Sequence, residues 1–142
     1  DVSLLNKYWG SDRVYHHTAP VNMNFGMREA LRLLADEGLK NAWNRHRVNA
    51  EKLWEGLESL GLELHVSEPL RLTTLTTVRI PKGVDGKAFS QHLLHNHGIE
   101  IGAGLGDLAG KVWRIGLMGY NSTPENVYRI LNLFETDLPG FH

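Results

Sequence analysis

The stretch Gly98-Ile99-Glu100-Ile101-Gly102-Ala103-Gly104-Leu105-Gly106, continued by Asp107-Leu108-Ala109-Gly110-Lys111-Val112-Trp113-Arg114-Ile115-Gly116-Leu117, decides the fold class. Ile99–Ile101 and Lys111–Leu117 read as short strands, and the glycines between them mark a tight connection with no room for a strong helix. Upstream, Asp85 can cap a helix over Gly86–His97, with Phe89, Leu93 and Leu94 facing inward and Gly98 breaking it. Earlier still, Thr73–Ile80 is rich in β-branched residues and stops at Pro81. Leu62, Leu64 and Val66 alternate as a half-buried strand, with a loop through Glu68-Pro69 after them.

Helical spacing rules the first sixty residues. Met27, Leu31 and Leu34 recur within a helix from Val21 to Glu37, punctuated by Gly38. A second helix runs from about Leu39 to Leu60, with Leu39, Trp43, Arg47, Ala50, Trp54 and Leu57 on one stripe and Gly61 as its C-terminal cap. At the other end, Thr123 caps a last helix whose first position is Pro124. The order is helix, helix, strand, strand, helix, strand, strand, helix. That order predicts an α+β fold, a small, mainly antiparallel sheet with helices packed on one side. A doubly wound dinucleotide-binding domain would alternate strand and helix from its first strand, and this sequence does not.

With 142 residues the chain has enough length for one core, and 42% hydrophobic with 22% charged residues is ordinary for a globular domain. The net charge of -1 argues against binding nucleic acid through phosphate neutralisation. No apolar run is long enough to span a bilayer. The absence of cysteine removes disulfides, thiolate metal sites and cysteine nucleophiles from consideration. The sequence opens at Asp1-Val2-Ser3, with neither an initiator methionine nor a signal peptide, and closes at Gly140-Phe141-His142, which is neither a peroxisomal tripeptide nor a prenylation box. It reads as a piece of something longer.

Arg114 is the most informative side chain. On a strand it shares a face with Val112 and Gly116, while Trp113 and Ile115 point the other way. A guanidinium among apolar residues needs an anion, and its planar fork suits a bidentate carboxylate. Two readings stand: a bound ligand, or an internal pair with Glu100 on the neighbouring strand. The Gly102-x-Gly104-x-Gly106 loop lacks dinucleotide spacing and is read as a turn that lets the backbone pass close to a neighbour. Adjacent His16 and His17 should point apart in extended chain. His92, His95 and His97 lack a complete ligand set and are read as a solvated helix face, with no metal expected. Tyr15 and Thr18 sit ahead of a helix start where hydroxyls can meet a phosphate; capping by Thr18 and packing of Tyr15 are the simpler alternatives.

Three stretches together resemble the class V pyridoxal-phosphate enzymes, in particular the alanine–glyoxylate and serine–pyruvate aminotransferases. They are Tyr15-His16-His17-Thr18-x-Pro20, Gly98-Ile99-Glu100-Ile101-x-x-Gly104-Leu105-Gly106 and Gly110-Lys111-Val112-x-Arg114-Ile115-Gly116. The Glu37-Gly38-Leu39 junction and Trp43-x-x-His46-Arg47 fit as well. The resemblance runs over nearly the whole chain. It implies the C-terminal part of a fold-type I enzyme: residues 1–37 as the tail of the large domain with a connecting helix, and 38–142 as the small domain. It implies pyridoxal 5'-phosphate as cofactor, Arg114 as the group holding the substrate α-carboxylate, and Tyr15 and Thr18 as phosphate ligands reaching across a homodimer interface. The amino group of alanine or serine would pass to glyoxylate or pyruvate.

The family's lysine that anchors the cofactor lies in the large domain, and none of Lys7, Lys40, Lys52, Lys82, Lys87 and Lys111 stands in such a motif. The resemblance therefore implies no catalytic residue within this stretch, which alone should be inactive. It also implies a soluble intracellular enzyme, peroxisomal or mitochondrial in an animal and cytoplasmic in a bacterium. A freestanding α+β module that binds a small carboxylate, or that only dimerises, is the alternative.

Overall fold

The structure is a computed structural model that describes residues 1–11 and 13–141. The chain divides into two units, residues 1–39 and 40–142. In the first, α1 (Val2–Trp9) is capped by the Asp1 carboxylate, which accepts from the Ser3 N–H at 2.9 Å. The longer α2 (Val21–Glu37) ends at Gly38, whose φ of 82° favours glycine and whose N–H donates to the Leu34 carbonyl. Its N-cap is Pro20, without a side-chain bond, so Thr18 does not cap this helix. Arg32 ties Glu29 and Asp36 one turn away on either side. The helical periodicity is correct, yet Met23, Phe25, Met27, Leu31 and Leu33 are exposed.

The second unit contains the rest of α3 (Leu39–Ser59), followed by β1 (Leu75–Arg79), α4 (Gly86–His97), β2 (Gly102–Ala103), β3 (Val112–Gly116) and α5 (Pro124–Thr136). The three strands form an antiparallel sheet in the order β1-β3-β2, with Val78 opposite Trp113 and Gly102 opposite Arg114. This is the small antiparallel sheet of an α+β fold. Thr76, Val78, Trp113 and Ile115 share the face that α3, α4 and α5 cover, through Leu53 and Leu57, Phe89 and Leu93, and Val127, Ile130, Leu133 and Phe134. At the centre Trp113, 1% exposed, packs in tilted and edge-on contacts with Phe89 and Phe134 at 5.4 and 5.5 Å. Such ring pairs add about 0.5–1.5 kcal/mol beyond their buried area. The Trp113 indole N–H donates to the Gly86 carbonyl at 2.9 Å, so the ring enters the core without an orphaned donor.

The caps explain where the strands depart from expectation. At the end of α3 the Leu62 N–H returns to the Leu57 carbonyl and Gly61, at φ 79°, donates to Glu58. Leu62 is thus consumed in closing the helix. A 3₁₀ turn at Glu68–Leu70 intervenes on the far side. The expected Leu62–Val66 strand shrinks to one bridge, Leu64 opposite Val78. Likewise the Ile99 N–H folds back onto the Leu93 carbonyl, and pairing starts only at Gly102 rather than across Ile99–Ile101.

On two helices the buried face differs from the one the sequence predicts. The buried stripe of α3 is Ala42, Asn49, Ala50, Leu53 and Leu57; Trp43 is 65% exposed and Arg47 reaches Glu51 on the surface. Leu94 is exposed rather than inward. The Asp85 and Thr123 caps stand, accepting from the Ala88 and Asn126 N–H groups.

Candidate functional site

Arg114 leaves β3 on the face opposite Trp113, beside β2. Its Nε donates to the Ala103 carbonyl at 2.8 Å. A Cβ on Gly102, directly across the ladder, would lie 3.3 Å from a terminal guanidinium nitrogen, so glycine there leaves room for the fork. Among the described residues no carboxylate pairs with Arg114, so of the two readings the internal pair with Glu100 is not formed. The side chain is half-buried, not enclosed. One edge is held by the backbone, leaving the two terminal nitrogens to meet an anion in parallel.

The connection behind it is built for close approach. A Cβ on Gly104 would come 2.0 Å from the Leu108 carbonyl oxygen and 2.9 Å from Val112, so any side chain there collides with the turn. This is the close-packing turn that the glycine spacing predicts.

After β3 the chain is gripped by α3. Arg45 donates to the Gly119 and Ser122 carbonyls at 2.9 and 2.8 Å. The His46 Nε2 accepts from the Gly119 N–H at 2.9 Å while its Nδ1 donates to Ala42. Asn49 donates to the Ser122 carbonyl at 2.9 Å. Sequence reasoning missed this clamp because a polar residue on a helix is ordinarily placed outside; the Arg45-His46-x-x-Asn49 spacing was the available signal. A cleft of about 290 Å³ lies alongside, with Glu100, Asn121, Asn126 and Arg129 as its polar lining, and Arg114 is not among its walls.

In the other unit, the Tyr15 and Thr18 hydroxyls lie 2.8 Å apart, both exposed. Tyr8 packs edge-on against Tyr15 and tilted against His17. His16 and His17 do not diverge as expected: their Nδ1 atoms are 2.9 Å apart. One hydroxyl donates to the other; once that bond opens, both can donate to phosphate oxygens.

The α4 histidines are not a uniform solvated face. His95 is exposed, but the Nε2 atoms of His92 and His97 lie 2.7 and 3.0 Å from one oxygen of Asp137, a residue the sequence reading did not single out. The Thr136 hydroxyl, then His92, hold the Asp137 carboxyl down at about 2, so it is an anion at neutral pH.

Residues 2–130 match the family described as aminotransferase class-V. The alanine–glyoxylate aminotransferase of Oryctolagus cuniculus is 48% identical over 134 residues, covering 92% of this chain and 34% of that protein. Among solved structures, an alanine–glyoxylate aminotransferase from Nostoc sp. superposes with a TM-score of 0.86 at 61% identity, over 95% of this chain and 36% of that one. The ureidoglycine–glyoxylate aminotransferase of Bacillus subtilis gives 0.90 at 40% identity, over 99% and 36%. The chain spans about a third of the length of the curated relatives it matches.

Proposed function

The chain belongs to the class V aminotransferase family, and from that premise we propose that it contributes the substrate-carboxylate clamp of a pyridoxal-phosphate aminotransferase that uses glyoxylate as amino acceptor. Glyoxylate is common to the names of the relatives on both sides of the comparison; alanine or serine is the proposed donor, and pyruvate the other acceptor in the same reading. Residues 1–37 are assigned to the tail of the large domain with its connecting helix, and 38–142 to the small domain of a homodimer.

The observation that carries the reading is the guanidinium of Arg114, fixed at Nε by Ala103 and offering a fork to a planar anion. Amino-acid and keto-acid substrates share one carboxylate, so a single clamp serves both half-reactions. Arg114 binds that group and orients the α-carbon; positioning of this kind is the protein's part. The Tyr15 and Thr18 hydroxyls would hold the cofactor phosphate of the partner subunit's site. When bound, pyridoxal phosphate supplies the electron sink that makes the α-proton labile and carries the amino group between substrates. The anchoring lysine is assigned to the large domain, so the chain alone forms no borohydride-reducible adduct with the cofactor. Family membership supplies a chemistry for Arg114 that a freestanding carboxylate-binding module lacks.

The test is Arg114→Lys in the complete enzyme, which keeps the charge and removes the fork. Binding of amino and keto acids should weaken together, with the activation free energy for kcat/KM rising by about 2–5 kcal/mol in each half-reaction and thermal stability nearly unchanged. A folded variant with unaltered single-turnover binding of both substrates refutes the clamp.

A further inference from the structure

We propose that His92, His97 and Asp137 bind one divalent transition-metal ion of the zinc type, with water completing the coordination. The three ligand atoms converge on one point from two separate elements. His92 and His97 lie in the last two turns of α4, and Asp137 closes α5, forty residues further on. The imidazole rings do not stack: their planes meet at 66° with centroids 5.1 Å apart. The two Nε2 atoms are 3.3 Å apart. A tetrahedral ion with metal–nitrogen bonds of about 2.0–2.1 Å needs ligand atoms about 3.3–3.4 Å apart, so the histidine pair already has the required spacing. Asp137 Oδ2 sits 2.7 and 3.0 Å from these nitrogens. It must withdraw by roughly 0.3–0.7 Å to reach the same spacing, a small side-chain rotation at the end of the helix.

The surroundings provide what such a site needs. Binding at Nε2 requires each neutral imidazole to hold its proton at Nδ1, and His92 Nδ1 already lies 2.8 Å from the Asn96 side-chain amide. Turning that amide over presents its oxygen to the Nδ1–H, the outer support that fixes a metal-bound histidine. The other carboxylate oxygen of Asp137 accepts from the Thr136 hydroxyl at 2.5 Å, which orients the ligand. The His92 ring leans on Phe141 at 5.2 Å, giving one apolar wall. All three ligand side chains are between a fifth and a third exposed, so an ion and its water can enter. Two imidazoles and a carboxylate suit zinc-class ions rather than calcium or magnesium, which prefer oxygen.

Zinc alone, titrated into the whole chain by calorimetry, should bind one equivalent with micromolar or tighter affinity. Cobalt at the same site should give the intense visible absorption of a four-coordinate ion. His92→Gln, His97→Gln and Asp137→Asn should each weaken zinc at least tenfold, whereas His95→Gln and the double change His16→Gln/His17→Gln should leave it intact. Circular dichroism of each variant confirms folding, and the cobalt spectrum of the unaltered chain stands independently of the variants. Absence of tight zinc binding, a six-coordinate cobalt spectrum, affinity indifferent to His97→Gln, or affinity lost with His16 and His17 would each overturn the site.

Discussion

Asn49→Ala probes the clamp that holds the chain immediately after the Arg114 strand. Asn49 is 2% exposed and donates to the Ser122 carbonyl at 2.9 Å and to its hydroxyl at 3.3 Å. Ser122 is fully buried. Its carbonyl keeps a second donor in Arg45, but its hydroxyl would be left facing a small void. One good hydrogen bond is worth about 0.5–1.5 kcal/mol, and a buried hydroxyl stripped of its partner costs about 1–3 kcal/mol. The expected loss is about 1.5–4.5 kcal/mol. At about 2.1 cal/mol/K per residue the unfolding entropy of 142 residues is about 0.30 kcal/mol/K, so Tm should fall by about 5–15 °C. Asn49→Asp should be worse than Asn49→Ala, because an oxygen then faces the Ser122 carbonyl where a donor stood. Urea denaturation followed by circular dichroism measures both, with exposed Asn44→Ala as a control expected within about 0.5 kcal/mol of the parent. An Asn49→Ala loss below that control's range, at unchanged m, or an Asp variant as stable as the parent, refutes the reasoning.

Thr123→Ala should cost about 1 kcal/mol in urea denaturation, since it removes the acceptor for the Asn126 N–H at the start of α5. Gly104→Ala should cost more than 3 kcal/mol or leave the 104–108 turn rearranged, because its Cβ would sit 2.0 Å from a carbonyl oxygen; hydrogen exchange at the Gly104 and Lys111 amides reads this directly. In the complete enzyme, Tyr15→Phe and Thr18→Ala should each weaken cofactor retention by about 1.5–3 kcal/mol, followed by equilibrium dialysis, while leaving substrate preference unchanged. Unaltered retention would return both hydroxyls to bonding only one another.

Punctuated elements were legible in the sequence, and those that depend on partners were not. Asp85 and Gly98 bound α4 at its observed limits, and Thr123-Pro124 starts α5 where the cap chemistry predicts. Alternation at Leu62–Val66 was real, but the capping bond of Leu62 left only one pairing. On α3 the bulky Trp43 and Trp54 drew the stripe toward themselves. Its buried face keeps Ala50 and Leu57 of that stripe and adds Ala42, Asn49 and Leu53; Asn49 is buried through its bond to Ser122 in the chain after β3. Arg114 stood out because a cation among apolar neighbours is conspicuous in one dimension. The His92–His97–Asp137 cluster did not, since its carboxylate arrives from forty residues away.

The sealing of Trp113 against Gly86 also has an optical consequence. Of the four tryptophans, Trp9 and Trp43 stand in water at 73% and 65% exposure, and Trp54 rests half-covered with its indole on Thr76. Only Trp113 emits from dry surroundings. Acrylamide should therefore quench the red, exposed part of the emission first and leave a blue residue belonging to the central strand. Because Arg114 is the next residue along that strand, the blue component reports, without any label, whether the sheet beneath the carboxylate clamp is intact.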